Sequence, residues 1–150
     1  MASSELPTFR PRKARAVGLV CAVLFPLVML GMSIALTRAP DSGWTGTDTA
    51  FALMFGILVA AVLVRLVTVR ALATDDALVV RNVVFTRRVE WGEIVAVRFG
   101  GAEPWLTLDL DDGENLAVMA VQRADGEHAR GEAMRLARLV DARAPHTAPD

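Results

Sequence analysis

One cysteine, Cys21, stands among 150 residues, so no disulfide closes within the chain, and the stapled secreted mini-protein class is excluded. After Arg65 there is neither serine nor cysteine, and the histidines are His128 and His146. A nucleophilic hydrolase needs a hydroxyl or thiol held beside a base, and its usual members are missing from that half. Two histidines so far apart make no metal site by spacing, and His128 reads as a solvated helix residue. The acidic run Asp109, Asp111, Asp112, Glu114 fails as a helix-loop-helix calcium loop, because Gly113 occupies the fifth position, where an oxygen ligand is required. Asp111-Asp112-Gly113 is instead what a hairpin turn asks for. Gly100-Gly101 lacks the spacing and the lysine of a phosphate-cradling loop. No catalytic residue, metal or cofactor is therefore expected, and the chain reads as a non-enzyme.

What is abundant is apolar. Hydrophobic residues make up 53% and the mean hydropathy is +0.40, which points toward a membrane. The polar half is rich in Val and Leu, which excludes intrinsic disorder. A formal charge of −1 hides a split along the chain. Arg10, Arg12, Lys13 and Arg15 against Glu5 give residues 1–15 a charge of +3, residues 38–48 carry −1, and residues 65–150, with eleven Arg and fourteen acids, carry −3. An acidic polar half gives no reason to expect nucleic acid as a partner.

Residues 16–37 hold no charge, and a helix of this length reaches about 33 Å, enough to cross a bilayer. A second uncharged run, 49–64, extends to residue 69 if Arg65 snorkels, giving a second span over 49–69. A cleaved signal peptide fits less well: the apolar stretch exceeds the usual h-region and no clean A-x-A site follows. Gly18, Leu19 and Val20 are no lipobox, so Cys21 reads as a small hydrophobe. The loop 38–48 holds Pro40, Gly43 and Gly46, which break a helix, and its length suits an antiparallel hairpin. Basic residues gather in the tail 1–15 and return at Arg65 and Arg70, which places both termini in the cytoplasm of a multi-pass protein of the cell membrane, with Trp44 at the outer interface. Pro26 marks a kink. Gly31 with Ala35, and Gly56 with Ala60, are small residues four apart that allow close helix packing. Neither span carries an ionisable residue in its interior, so a proton or ion path lacks its chemistry.

After Arg70 the pattern changes to short, β-branched segments between turn residues, as in a small antiparallel β domain. Strands are expected over 66–73, 78–82, 85–91, 94–99, 105–110 and 115–121, six at least. A helix follows from about Gly126 to Arg143, with Asp125 as its N-cap and Ala129, Ala133, Leu136, Ala137 and Val140 on one stripe. Residues 144–150 are expected to fray.

Six or seven antiparallel strands closed by one C-terminal helix over residues 70–143 is the plan of a pleckstrin-homology (PH) domain. The segments Trp91-Gly92-Glu93-Ile94, Pro104-Trp105-Leu106-Thr107-Leu108 and Met119-Ala120-Val121-Gln122-Arg123 resemble the bacterial PH family that includes the mycobacterial low-molecular-weight antigen, found in actinobacterial two-helix membrane proteins. The resemblance spans about residues 65–143. It implies a transmembrane hairpin followed by a PH-like barrel, and it brings no catalytic residue.

Many eukaryotic PH domains grip phosphoinositides with basic residues between their first two strands. Here that turn is Ala73-Thr74-Asp75-Asp76, whose carboxylates repel a phosphate and argue against a phosphoinositide. Arg81, Arg87, Arg88 and Arg98 are candidate lipid head-group contacts, although alternation alone makes them solvated strand positions. Trp91 continues the inward face of Val89 and reads as core. Trp105 alternates away from the Leu106 face and, with Glu103 and Pro104, is the candidate partner contact. The function this supports is a membrane-anchored interaction module binding protein or lipid. The alternative is an accessory or scaffold subunit that binds a membrane protein, or another copy of itself, through the hairpin.

Overall fold

The structure, a computed structural model, describes residues 7–143. The chain divides into two compact units, one formed by the segments up to Ala14 and from Thr68 onward, the other by Arg15–Val67. The tail expected over 144–150, with His146, lies outside the described residues.

The helical unit holds α1 (Lys13–Arg38) and α2 (Gly46–Val67), both long and apolar enough to cross a membrane. Only 11% of each apolar stretch is buried, so neither is the core helix of a water-soluble domain; side chains such as Val17, Phe51 and Leu58 lie open along them. Helix α2 begins at Gly46, ahead of the expected 49, because Thr45 and Asp48 cap it reciprocally: the Asp48 carboxylate accepts from the Thr45 N–H at 2.8 Å, and Thr45 Oγ1 accepts from the Asp48 N–H at 3.3 Å. Phe25 meets Phe55 edge to face, centroids 5.9 Å apart. At Gly56 a Cβ would stand 3.2 Å from the Pro26 Cα, and at Gly18 it would strike Val67 Cγ1. Gly31 has nothing within 4 Å of that position, and Ala35 is exposed. Close helix approach thus runs through Gly18 and Gly56, with Ala60 half-buried.

The other unit is PH-like. Strands β1 (Thr8–Phe9), β2 (Arg70–Ala73), β3 (Ala77–Arg81) and β4 (Thr86–Glu90) form one antiparallel sheet in that order; β5 (Ile94–Arg98), β6 (Trp105–Leu110) and β7 (Asn115–Gln122) form a second; α3 (Glu127–Arg143) follows. Alternation sets the inward faces: Phe9, Ala71, Ala73, Leu78, Val80 and Val89 from the first sheet meet Leu106, Leu108, Leu116 and Val118 from the second, and Ala129, Ala133, Leu136 and Val140 from α3 join the same core. The turn before β7 carries Gly113 at φ 82°, a conformation that favours glycine.

Three features depart from the sequence expectation. Residues 8 and 9, expected within a basic tail, are a sheet strand, with Thr8 paired to Leu72 and Phe9 to Ala71. The stretch 66–73 is not one strand: α2 runs to Val67 and β2 starts at Arg70. Asp125 does not cap α3. It closes a short 3-10 turn (Arg123–Asp125), Gly126 at φ 60° turns the chain into α3, and the buried Asp125 carboxylate accepts the N–H groups of Arg12 and Lys13, both at 2.8 Å. Lys13 opens α1, so Asp125 satisfies the first free donors of that helix from more than a hundred residues away.

Candidate interaction surfaces

The four arginines named as candidate head-group contacts do not lie on one face. Arg87 lies on the Val80 side of its sheet and reaches the turn between β6 and β7, where it pairs with Glu114 at 2.5 Å and Asp112 at 3.3 Å. The hydrogen bond that Arg87 donates to the Glu114 carboxylate is the main cause raising the Arg87 pKa above its ordinary value. Arg98 pairs with Asp109 at 2.6 Å and also reaches Asn115. Arg81 and Arg88 sit on the opposite, outer side of the first sheet, Arg81 opposite Thr86 and Arg88 opposite Val79, and no acid among the described residues pairs with either. The carboxylates between β2 and β3 are exposed, and Asp75 lies 4.0 Å from Arg143.

Trp91 is core, 3% exposed, and its Nε1 donates to the carbonyls of Thr74 and Asp75, both at 3.1 Å. Arg143 stacks over its ring at 5.2 Å and donates to the Thr74 carbonyl at 2.9 Å, which ties the end of α3 to the turn between β2 and β3. Trp105 is half-buried at the start of β6, opposite Gln122, and forms one wall of a shallow hollow with Ala102, Pro104, Arg123 and Ala124. Glu103 and Pro104 are exposed beside it. Arg123 fixes this rim, donating to the Gly101 carbonyl at 2.5 Å and the Glu103 carbonyl at 3.4 Å.

A larger cavity of about 720 Å³ opens next to it, with Val97, Phe99, Arg123, Arg130, Met134 and Ala137 in its wall. Met134 is exposed although its helix neighbours Ala133 and Leu136 are core. Sequence reasoning missed this cavity: Phe99 and Met134 lie in segments that pair or pack only in three dimensions, and no local pattern joins them. No group of three or more His, Cys, Asp or Glu side chains among the described residues is arranged to hold a metal.

No solved structure matches the chain. Uncharacterised proteins of Mycobacterium bovis and of two strains of Mycobacterium tuberculosis are 34% identical to it over 74 residues, 49% of this chain and 48% of each relative. The chain therefore spans about half the length of the curated relatives it matches. Residues 68–139, the stretch that holds β2 through most of α3, match the family model described as a bacterial PH domain.

Proposed function

We propose that the protein is a membrane-anchored, non-enzymatic interaction module: α1 and α2 cross the cell membrane as a hairpin and the PH-like unit stands at its cytoplasmic face. PH domains are typically interaction modules, and no enzymatic family is indicated. The observation that carries the reading is the β1–β2 pair, since a strand made before the hairpin and a strand made after it close one sheet. The apolar, unburied length of both helices supports a lipid setting, and the +3 charge of residues 1–15 supports the cytoplasmic side. The likeness of residues 91–127 to the low-molecular-weight antigen type is the finer kinship we assign.

Trp105, with Glu103 and Pro104, is the proposed protein contact. A half-buried indole on a rim that Arg123 holds in place is a preorganised anchor of the kind that concentrates binding energy. Crosslinking in the native membrane, comparing wild type with Trp105→Ala, tests it: one protein partner is expected with wild type and lost in the variant. Equal recovery removes this face from the proposal. The scaffold reading keeps one observation in its favour, the open face at Gly31 and Ala35. In that case Gly31→Ile abolishes recovery and Trp105→Ala does not.

A further inference from the structure

The outer face of the first sheet carries a row of arginines that only the strand register brings together. Arg70 is directly opposite Arg81. Phe9 pairs with Ala71, and Arg10, the residue after the end of β1, is exposed, as Arg70 is. Two neighbouring strands thus present Arg70 and Arg81 side by side, and Arg10 directly follows the strand that pairs with β2. In the next row Leu72 and Val79 lie between Thr8 and the exposed Arg88.

Like charges placed directly opposite on antiparallel strands disfavour the pairing, and acids are available in this unit, whose 65–150 segment carries −3. They are used elsewhere. Asp112 and Glu114 take Arg87, Asp109 takes Arg98, Glu127 takes Arg130, Glu132 takes Arg135 and Asp75 takes Arg143. Among the described residues no acid pairs with Arg10, Arg70, Arg81 or Arg88. Arg10 precedes the first residue of α1 by three positions, and Arg70 follows the last residue of α2 by three. Chain length alone holds both within about 11 Å of a helix end.

We infer that this row is a docking surface for the phosphate groups of anionic phospholipids in the membrane that the hairpin crosses. Planar guanidinium groups match phosphate in paired hydrogen bonds, and juxtamembrane basic residues gain from an anionic leaflet. The exposed Leu72 and the apolar Val79 beside the row suit the boundary between head groups and acyl chains. The surface differs from the turn between β2 and β3, which Asp75 and Asp76 close to phosphate. The inference rests on the anchored-module reading, but its test is separate from that reading.

The full-length protein in mild detergent is titrated with phosphatidylglycerol, with phosphatidylcholine and with inorganic phosphate, and bound species are counted by native mass spectrometry. Arg70→Gln/Arg81→Gln is expected to weaken phosphatidylglycerol binding about 25-fold, as roughly a fivefold loss per arginine, and to leave phosphatidylcholine binding unchanged. Arg130→Gln/Arg138→Gln on α3 is expected to bind as wild type does. Thermal unfolding of the first variant should be no lower than wild type, because a like-charge pair is removed. Equal phosphatidylglycerol binding in the two proteins overturns the inference. Inorganic phosphate bound as tightly as the lipid overturns the membrane source and makes this a site for a soluble anion. Either result leaves the crosslinking test of the anchored module untouched.

Discussion

Asn82 shows at the scale of one residue how the PH-like unit is clasped. It is 2% exposed, its Nδ2 donates to the Ala117 carbonyl at 2.7 Å, and its Oδ1 accepts from the Met119 N–H at 3.2 Å. Those partners belong to β7, so one amide from the end of β3 stitches the first sheet to the second. Asn82→Ala leaves a half-buried carbonyl and a half-buried N–H without this partner and should destabilise the unit by about 2 kcal/mol, read as a lower denaturation midpoint followed by the fluorescence of Trp91. A fall no larger than that of an exposed substitution such as Thr86→Ala would mean that water replaces both bonds. The sequence reads Asn82 only as a strand end, because a side chain that serves a strand more than thirty positions away leaves no local trace. Asp125 misleads for the same reason. Its place before a helix suits an N-cap of α3, but its carboxylate serves the backbone of residues 12 and 13.

At the scale of elements, the strands that follow Arg70 are legible because inward and outward residues alternate in each and turn residues separate them. Strand β1 is not. Thr8 and Phe9, in a basic segment bounded by Pro7 and Pro11, show no period, and their partners lie more than sixty positions on, past both helices. The arginine row was hidden by the same separation: each residue is visible, but the register that aligns them is not. Phe9 is nevertheless among the largest fully buried side chains, with Arg135 5.9 Å above its ring. Phe9→Ala should therefore cost about 3–5 kcal/mol. A stronger check joins residue 12 to residue 68 through a short Gly-Ser linker in place of the hairpin. Because β1 and β2 are antiparallel neighbours, the linker closes an ordinary strand connection, and the product should melt cooperatively in water. A chain that starts at Thr68 lacks β1, exposes the β2 edge and should aggregate. Equal, cooperative folding of both would mean that β1 adds nothing to the sheet.

The molecule as a whole is a β unit interrupted by two long apolar helices. Segments before and after residues 15–67 build one sheet, so the two ends of the helical unit must emerge on the same side of any membrane it crosses. A single crossing would put Thr8 and Leu72 on opposite sides and is incompatible with their pairing. Two crossings satisfy it, and the cytoplasmic side proposed for both ends rests on the charge of residues 1–15. This geometry gives a constraint independent of the charge rule, so the two can be tested together. In a Cys21→Ser background, Ser42→Cys places a thiol in the loop between the helices and Ala142→Cys places one on the exposed side of α3. A membrane-impermeant maleimide added to intact cells should label Ser42→Cys and spare Ala142→Cys, and inverted vesicles should reverse the pattern. The reversed pattern in intact cells would keep the shared side but refute the cytoplasmic assignment. Labelling of both positions in intact cells would mean that the hairpin does not cross. The arginine row would then face water on every side, and its like charges would need another source of anions.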